Sequence, residues 1–349
     1  MKYSFIIPVY NRPDEVDELL DSLTRQAYAD FEVIIVEDGS DVRCDEVCMK
    51  YRDLLNLKYY CKPNSGPGQS RNYGVERATG DYVIILDSDV VVPPGYLKAV
   101  DDELQRKPCD FFGGADASHP SFTPVQKAIS YAMTSFFTTD GIRGGKKKLD
   151  KFYPRSYNMG VNRGAYTAIG GFERMRFGED IDFSYRMIEA GYESRLFPEA
   201  WVWHKRRTDL RKFFRQVYNS GIARINLEKR HPGTMKLVHM LPAAFTVGMT
   251  ALVLLFVAGM FCALPCASDA CRTIGTIMCA ASAAPIILYS LIIFIDSSVR
   301  NRSLWVGLLS VPAAFTQLMG YGLGFISAWW KRCVLGKDEF QAFEKTFYK

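Results

Sequence analysis

The sequence is poor in several features that would place it in common classes. Its nine cysteines form no C-x-x-C pair and no zinc-ligand spacing, so neither a disulfide framework nor a structural zinc site is indicated, and reduced thiols fit best. It has no long Lys/Arg block and a net charge of only +5, which argues against a nucleic-acid partner. Internal repeats and low-complexity tracts are absent. Gly66 and Gly68 supply a GxG spacing, but the third glycine is missing and the pair does not follow the first strand, which counts against an NAD or FAD domain. The opening MKYSFIIPVYNRPDE turns polar within a few residues, so no secretory signal peptide is expected and the soluble part is placed on the cytoplasmic side.

The most informative absence is of charge. No Asp, Glu, Lys or Arg occurs in 240–268, 273–295 or 303–330, and each run exceeds the ~20 residues that span a bilayer core. The averages over 349 residues, 48% hydrophobic and 23% charged, resemble a soluble protein only because they hide this segregation. We therefore expect an N-terminal domain over residues 1–232 and a multi-pass membrane region over 233–349, in the cytoplasmic membrane. Two crossings put the Arg300-Asn301-Arg302 loop inside, as the positive-inside rule prefers. The third run carries Pro312, Gly320, Gly322 and Gly324 and reads either as a third span or as a broken, re-entrant hairpin. Before the first run, Lys205, Arg206, Arg207, Arg211, Lys212, Arg215, Arg224, Lys229 and Arg230 suit a helix over Leu210 to Leu227 lying on anionic lipid. A solvated helix face is the plainer reading of the same residues.

The first ~90 residues alternate strand and helix. Apolar runs at Tyr3 to Val9, Phe31 to Val36, Leu57 to Tyr60 and Tyr82 to Leu86 are followed by helix starts or tight turns: Pro13-Asp14-Glu15, Glu37-Asp38-Gly39-Ser40, Asn64 to Gly68 and Asp87-Ser88-Asp89. Such a rhythm predicts a mostly parallel, Rossmann-like α/β sheet covered on both faces, with ligands at the carboxyl ends of the strands. Beyond Phe111 the rhythm loosens. Gly144 to Lys148 reads as an exposed loop, and Ile181 to Ala190 as a helix stopped by Gly191.

Asp87 and Asp89 flank Ser88 at the end of a buried strand. Unpaired buried charge costs several kcal/mol, and a hard divalent cation, Mg²⁺ or Mn²⁺, is commonly held by one or two carboxylates plus phosphate. A polar turn capping the strand is the alternative. Asp38 is placed to accept a hydrogen bond from a nucleobase imide, and Arg71 to reach diphosphate or base edges with its planar fork. Glu179-Asp180-x-Asp182 reads as an acidic helix start favoured by the helix dipole, or as a reactive cluster. Asn158 and Gly160 either shape an acceptor pocket or turn the chain, and Asp182 joins them as a tentative acceptor contact. Trp201, Trp203, Trp305, Trp329 and Trp330 read as core or membrane-interface aromatics.

PVYNR at Pro8 to Arg12, VEDGS at Val36 to Ser40, NSGPGQSRNYG at Asn64 to Gly74, GDYVIILDSD at Gly80 to Asp89 and GEDIDFSYR at Gly178 to Arg186 together resemble family 2 glycosyltransferases. The resemblance covers about residues 2 to 220. It implies a GT-A fold followed by an α-helical transmembrane region, and inverting transfer from a nucleotide diphosphate-sugar donor. It implies further that Pro8, Tyr10, Asn11 and Asp38 line the nucleoside pocket. Arg71, Asp87 and Ser88 would contact the donor, Asp89 would ligate the metal, and His204 would touch metal or diphosphate. Asp180 would be the general base, with Glu179 as its substitute. The expected acceptor is a hydroxyl on a glycan or lipid-linked molecule, with membrane lipids as further partners. Three rivals remain: a polyprenyl-phosphate acceptor that needs no base, a processive polysaccharide synthase, and an inactive membrane scaffold. Against the synthase, this chain offers only Arg215-Gln216-Val217-Tyr218 where those relatives carry Gln-x-x-Arg-Trp.

Overall fold

The structure is a computed structural model and describes residues 1–28, 30–117, 119, 121–139, 152–264 and 268–337. The loop expected at Gly144 to Lys148, and Cys266, lie outside the described residues. Two compact units are present: one holds the described residues up to 119 and 152–205, the other those of 121–139 and 206–337.

The first unit is built on a single mixed sheet. Its strands are β1 (Tyr3–Val9), β2 (Phe31–Asp38), β3 (Leu57–Lys62), β4 (Tyr82–Leu86), β5 (Val90–Val91), β6 (Phe111–Ala117), β7 (Asn158–Asn162) and β8 (Ser194–His204), in the order β3-β2-β1-β4-β7-β6-β8-β5. Strands β3, β2, β1 and β4 are parallel, with Ile6 of β1 opposite both Ile34 of β2 and Ile85 of β4. That register aligns the carboxyl ends of β1, β2 and β4 on one edge. Because side chains alternate along a strand, Phe5, Ile7, Val33 and Ile35 enter one core layer and Ile6, Ile34, Val36, Val83 and Ile85 the other. Both faces of the parallel half are therefore dry, which accounts for its near-continuous apolar runs.

The helices of this unit are α1 (Pro13–Thr24), α2 (Asp45–Lys50), α3 (Pro67–Val75), α4 (Tyr96–Arg106), α7 (Arg163–Ala168) and α8 (Glu179–Glu189); α5 (Pro124–Thr134) and α6 (Phe136–Thr139) belong to the second unit. The α1 start has the expected proline at its first turn with Asp14 and Glu15 behind it. Helix α8 opens two residues earlier than the sequence indicates, after Gly178 in the left-handed region at φ 85°, so its three acids sit in the first turn, where the helix dipole favours them.

Strand β7 was not legible. Asn158-Met159-Gly160 reads as a turn, yet it pairs antiparallel with both β4 and β6. The glycine there serves packing: a Cβ at Gly160 would lie 2.0 Å from the Phe112 ring, and Phe112 stacks on Phe197 with centroids 4.3 Å apart.

The second unit adds α9 (Leu210–Arg230), α10 (Leu237–Cys262), α11 (Asp269–Asn301), α12 (Leu304–Trp329) and a π-helical turn at Trp330–Val334. Three of its helical segments, Leu237–Cys262, Asp269–Asn301 and Leu304–Val334, are long and apolar enough to cross a membrane. The re-entrant alternative for the third run is not realised, since α12 is continuous. Its glycines serve close approach: a Cβ at Gly324 would meet the Tyr218 carbonyl of α9 at 2.0 Å, and one at Gly322 the Pro242 carbonyl of α10 at 2.3 Å. The basic helix α9, expected inside a domain ending at residue 232, thus packs among the apolar helices. Arg211, Lys212, Arg215 and Lys229 remain exposed on it, whereas Arg206, just before the helix, and Arg224, within it, are buried.

Filling the space at Gly160 tests the antiparallel junction. Gly160→Ala should cost roughly 1–3 kcal/mol, the range for overpacking a filled core, seen as a lower midpoint of unfolding; an unchanged midpoint would show that the Phe112–Phe197 stack yields freely.

Candidate active site

Strand β4 is buried along its whole length and delivers Asp87, Ser88 and Asp89 to the sheet edge. Immediately afterwards β5 pairs antiparallel with the end of β8, Val90 opposite His204, and the Lys205 amide donates to the Asp89 carbonyl at 3.0 Å. This short ladder carries the histidine to the aspartates from more than a hundred residues away. Ligand atoms of Asp87, Asp89 and His204 lie within 4.8 Å of one another, with His204 Nε2 3.3 Å from Asp89 Oδ1. Tyr157 stacks on the imidazole at 5.0 Å and 23°. His204 Nδ1 is buried, 4.0 Å from Asp116 Oδ2, and has no hydrogen-bond partner among the described residues. Two carboxylates and an imidazole match the donors that a Mg²⁺ or Mn²⁺ site uses. Nothing in the local sequence singles out Asp116 or Tyr157, whose positions follow from β6 and from the approach to β7.

Arg12 closes the PVYNR motif. Its Nη1 donates to Asp89 Oδ2 at 2.6 Å. The second carboxylate also has an arginine: Arg71, on α3, donates from Nη2 to Asp87 Oδ1 at 2.8 Å and from Nη1 to Glu179 Oε1 at 3.0 Å. The Arg71 side chain is only 3% exposed and sits 5.3 Å from the Phe172 ring centroid. One guanidinium therefore joins the end of β4 to the start of α8.

Adjacent carboxyl groups on α8 are driven in opposite directions. Burial pushes the Glu179 carboxyl up; Arg71 opposes this and the neighbouring Asp180 charge adds to it. Burial acts on Asp180 in the same sense but is outweighed by Arg155, whose Nε donates to Oδ2 at 2.7 Å, and Asp180 ends below the usual carboxylate range. Arg155 escaped notice because nothing in its local sequence marks it. Environments that push paired carboxyls apart suit distinct roles.

In the loop after β1, Asn11 is held in the left-handed region at φ 54°. Its Oδ1 accepts from the Asp41 and Val42 amides at 2.8 and 2.9 Å, and its own amide donates to Ser40 Oγ at 2.8 Å. Ser40 in turn donates to the buried Glu37 carboxylate, which also accepts from the Cys44 amide at 3.0 Å and the Tyr59 hydroxyl at 3.1 Å. The loops after β1 and β2 are thereby tied together, with Pro8 and Tyr10 half-buried beside them and Ser88 buried. Asp38, expected to face a nucleobase, is 1% exposed. Its carboxylate accepts from the Ser65 and Gly66 amides, both at 2.9 Å, and from Lys62. In this structure it holds the turn that opens α3.

The tentative acceptor residues are not brought into this site. Asn158 is 1% exposed, donating to the Ala200 carbonyl at 2.8 Å and accepting from the Tyr96 hydroxyl at 2.6 Å. Gly160 is covered by Phe112. Asp182 is buried against Arg186, 2.9 Å away on the next turn of α8. These polar groups serve the fold, as buried polar groups with satisfied partners usually do.

Residues 4–167 match the model of glycosyl transferase family 2. The chain carries a family 2 glycosyltransferase domain. Among curated relatives, the poly(ribitol-phosphate) β-N-acetylglucosaminyltransferase TarS of Staphylococcus aureus is 40% identical over 102 residues, 28% of this chain and 18% of TarS. The uncharacterized glycosyltransferase EpsJ of Bacillus subtilis is 32% identical over 203 residues, 56% of this chain and 59% of EpsJ. The chain thus matches less than two thirds of the length of either. The mannosyltransferase PcManGT of Pyrobaculum calidifontis, solved in complex with GDP-Man and Mn²⁺, aligns at a TM-score of 0.55 and 15% identity, covering 95% of this chain and 88% of that one. At that identity the likeness speaks for the GT-A fold alone. In the glycosyltransferase domain, the matched segment supplies Arg12, Arg71, Asp87 and Asp89, while the acidic start of α8 and His204 fall beyond it.

Replacing Arg71 tests the bridge. Arg71→Gln leaves Glu179 buried beside Asp180 without its cation, and about 3–5 kcal/mol of stability should be lost, measured by denaturant unfolding. A loss below about 1 kcal/mol, typical of an exposed pair, would mean the bridge is screened by water.

Proposed function

We propose that the protein is a membrane-anchored inverting glycosyltransferase, moving one sugar from a nucleotide diphosphate-sugar to a hydroxyl of a glycan or lipid-linked acceptor. The observation that carries this reading is the meeting of Asp87, Asp89 and His204, with Arg71 linking Asp87 to the acidic start of α8. In this reading Asp89, His204 and Asp87 would hold a divalent cation, Mn²⁺ or Mg²⁺. When bound, that ion supplies positive charge to the departing diphosphate.

The chain's own groups supply the rest. Asn11, Ser40 and the Asp38-braced turn shape the nucleoside end, and Arg71 offers a rigid donor fork whose orientation is already set by two carboxylates. Asp180 takes the proton of the acceptor hydroxyl as its oxygen forms the new bond to the anomeric carbon. The bond to the diphosphate breaks on the opposite face, so the configuration inverts. General-base help of this kind is typically worth ~10² to 10⁴-fold. Membrane anchoring rests on the three long apolar helices; by the positive-inside rule the Arg300-Asn301-Arg302 loop favours a cytoplasmic catalytic unit, while Lys331, Arg332 and Lys337 beyond a third crossing count against it.

One observation favours a second reading. The Arg155 pair holds Asp180 low, which weakens it as a base, and a polyprenyl-phosphate acceptor needs none. The pH profile separates the cases. A base works only when deprotonated, so with Asp180 in that role the rate falls only as pH drops to or below the ordinary carboxylate range. If Glu179 is the base, its raised pKa moves that acid limb upward. Asp180→Asn should retain donor binding and lose at least ~10²-fold in turnover onto a hydroxyl acceptor. Undiminished turnover in that variant, with a phosphate acceptor preferred, would establish the second reading.

For the cation, Asp89→Ala should abolish Mn²⁺-dependent nucleotide binding in a calorimetric titration with UDP and GDP. Unchanged Mn²⁺ stimulation would remove Asp89 from the ligand set.

A further inference from the structure

Asp89, the central residue of the metal reading, is engaged by a cation that the protein itself provides. Arg12 follows β1 directly, and its Nη1 lies 2.6 Å from Asp89 Oδ2, on a side chain 31% exposed beside a carboxylate 10% exposed. The other oxygen of the same carboxylate faces His204 at 3.3 Å. A divalent ion taking Asp89 must therefore share it with, or displace, a guanidinium. Two like charges at one partly buried carboxylate repel strongly. Arg71 pairs in the same way with Asp87, but it is held at once by Asp87 and Glu179 and is almost wholly buried. Arg12, at the N-cap of α1, is the more exposed of the two and has a single carboxylate partner at this edge, so its side chain is the freer to turn away.

We propose that Arg12 is a further donor-site residue that couples metal binding to nucleotide binding. Without a nucleotide it neutralises Asp89 and keeps cation affinity low. When a nucleoside diphosphate arrives, its phosphates give the guanidinium a new anionic partner of the kind arginine forks favour, and Asp89 is released to the ion. Metal and nucleotide then strengthen each other's binding by the same factor, as linkage requires. This inference rests on the metal reading of Asp87, Asp89 and His204.

The test is a titration of the detergent-solubilised full chain with Mn²⁺ alone and then in the presence of UDP or GDP, following free Mn²⁺ by electron paramagnetic resonance. In the wild type, the nucleotide should tighten Mn²⁺ binding roughly tenfold or more, a coupling in the usual range. Arg12→Gln should bind Mn²⁺ alone about tenfold more tightly than the wild type and show less enhancement by nucleotide. Arg12→Lys keeps a cation beside Asp89 and should bind Mn²⁺ alone within about threefold of the wild type. Circular dichroism checks that both variants are folded. Saturable Mn²⁺ binding that is no tighter in Arg12→Gln, or equally tight in Arg12→Lys and Arg12→Gln, overturns the coupling and leaves the metal site standing. No Mn²⁺ binding by any of the three proteins, even with nucleotide, overturns the metal reading and the coupling together.

Discussion

The site depends on one buried guanidinium. Arg71 spans from Asp87 at the end of β4 to Glu179 at the start of α8, and three charges in a poorly hydrated place tolerate one another only in this arrangement. The turn that opens α3 must hold its position for Arg71 to reach both partners, and the Asp38 carboxylate, bonded to the Ser65 and Gly66 amides, supplies that. The short β5–β8 ladder brings in His204. Each part of the sheet edge thus constrains the next through a named hydrogen bond or register.

Charge is partitioned finely across a small region. Two aspartates at the strand end each carry an arginine partner, one almost wholly buried and one partly exposed, while two neighbouring carboxyls on α8 are driven apart by burial on one side and by Arg155 on the other. A glycosyl transfer has to manage negative charge on the leaving group and create it on the attacking oxygen, and under the proposed reading this layout would keep the two tasks on different side chains. The loops after β1 and β2 have a different character: Asn11, Ser40 and Glu37 form a chain of neutral and charge-assisted bonds that sets backbone shape.

Sequence and structure agree where a local pattern has a single physical cause. The parallel half of the sheet was readable because strands covered on both faces are apolar throughout, and its polar clusters fell at strand ends. Asp87 and Asp89 followed from those positions and Arg71 from the turn before it, whereas the α8 acids read as a helix start or a reactive cluster, and the base role, like that of His204, came only from family resemblance. What stayed hidden was nonlocal. Strand β7 contains two asparagines and a glycine, so its identity comes from flanking strands and from the Phe112 ring. Asp116, Arg155 and Tyr157 acquire meaning only from neighbours distant in the chain. Asn158 and Gly160 looked like pocket residues because polar and small side chains signal both turns and ligand sites, and burial alone tells those apart. The third apolar run shows the same ambiguity: its glycines resemble helix breakers until their close contacts with α9 and α10 are seen.

Those contacts, Gly324 against the Tyr218 carbonyl and Gly221 against the Tyr321 carbonyl, bring the α9 and α12 backbones together, with Ile225 and Phe325 packed beside them. The pair must then shift as one lever. If α12 spans a bilayer as proposed, a helix that leans to match thinner or thicker lipid would carry the exposed arginines of α9 with it.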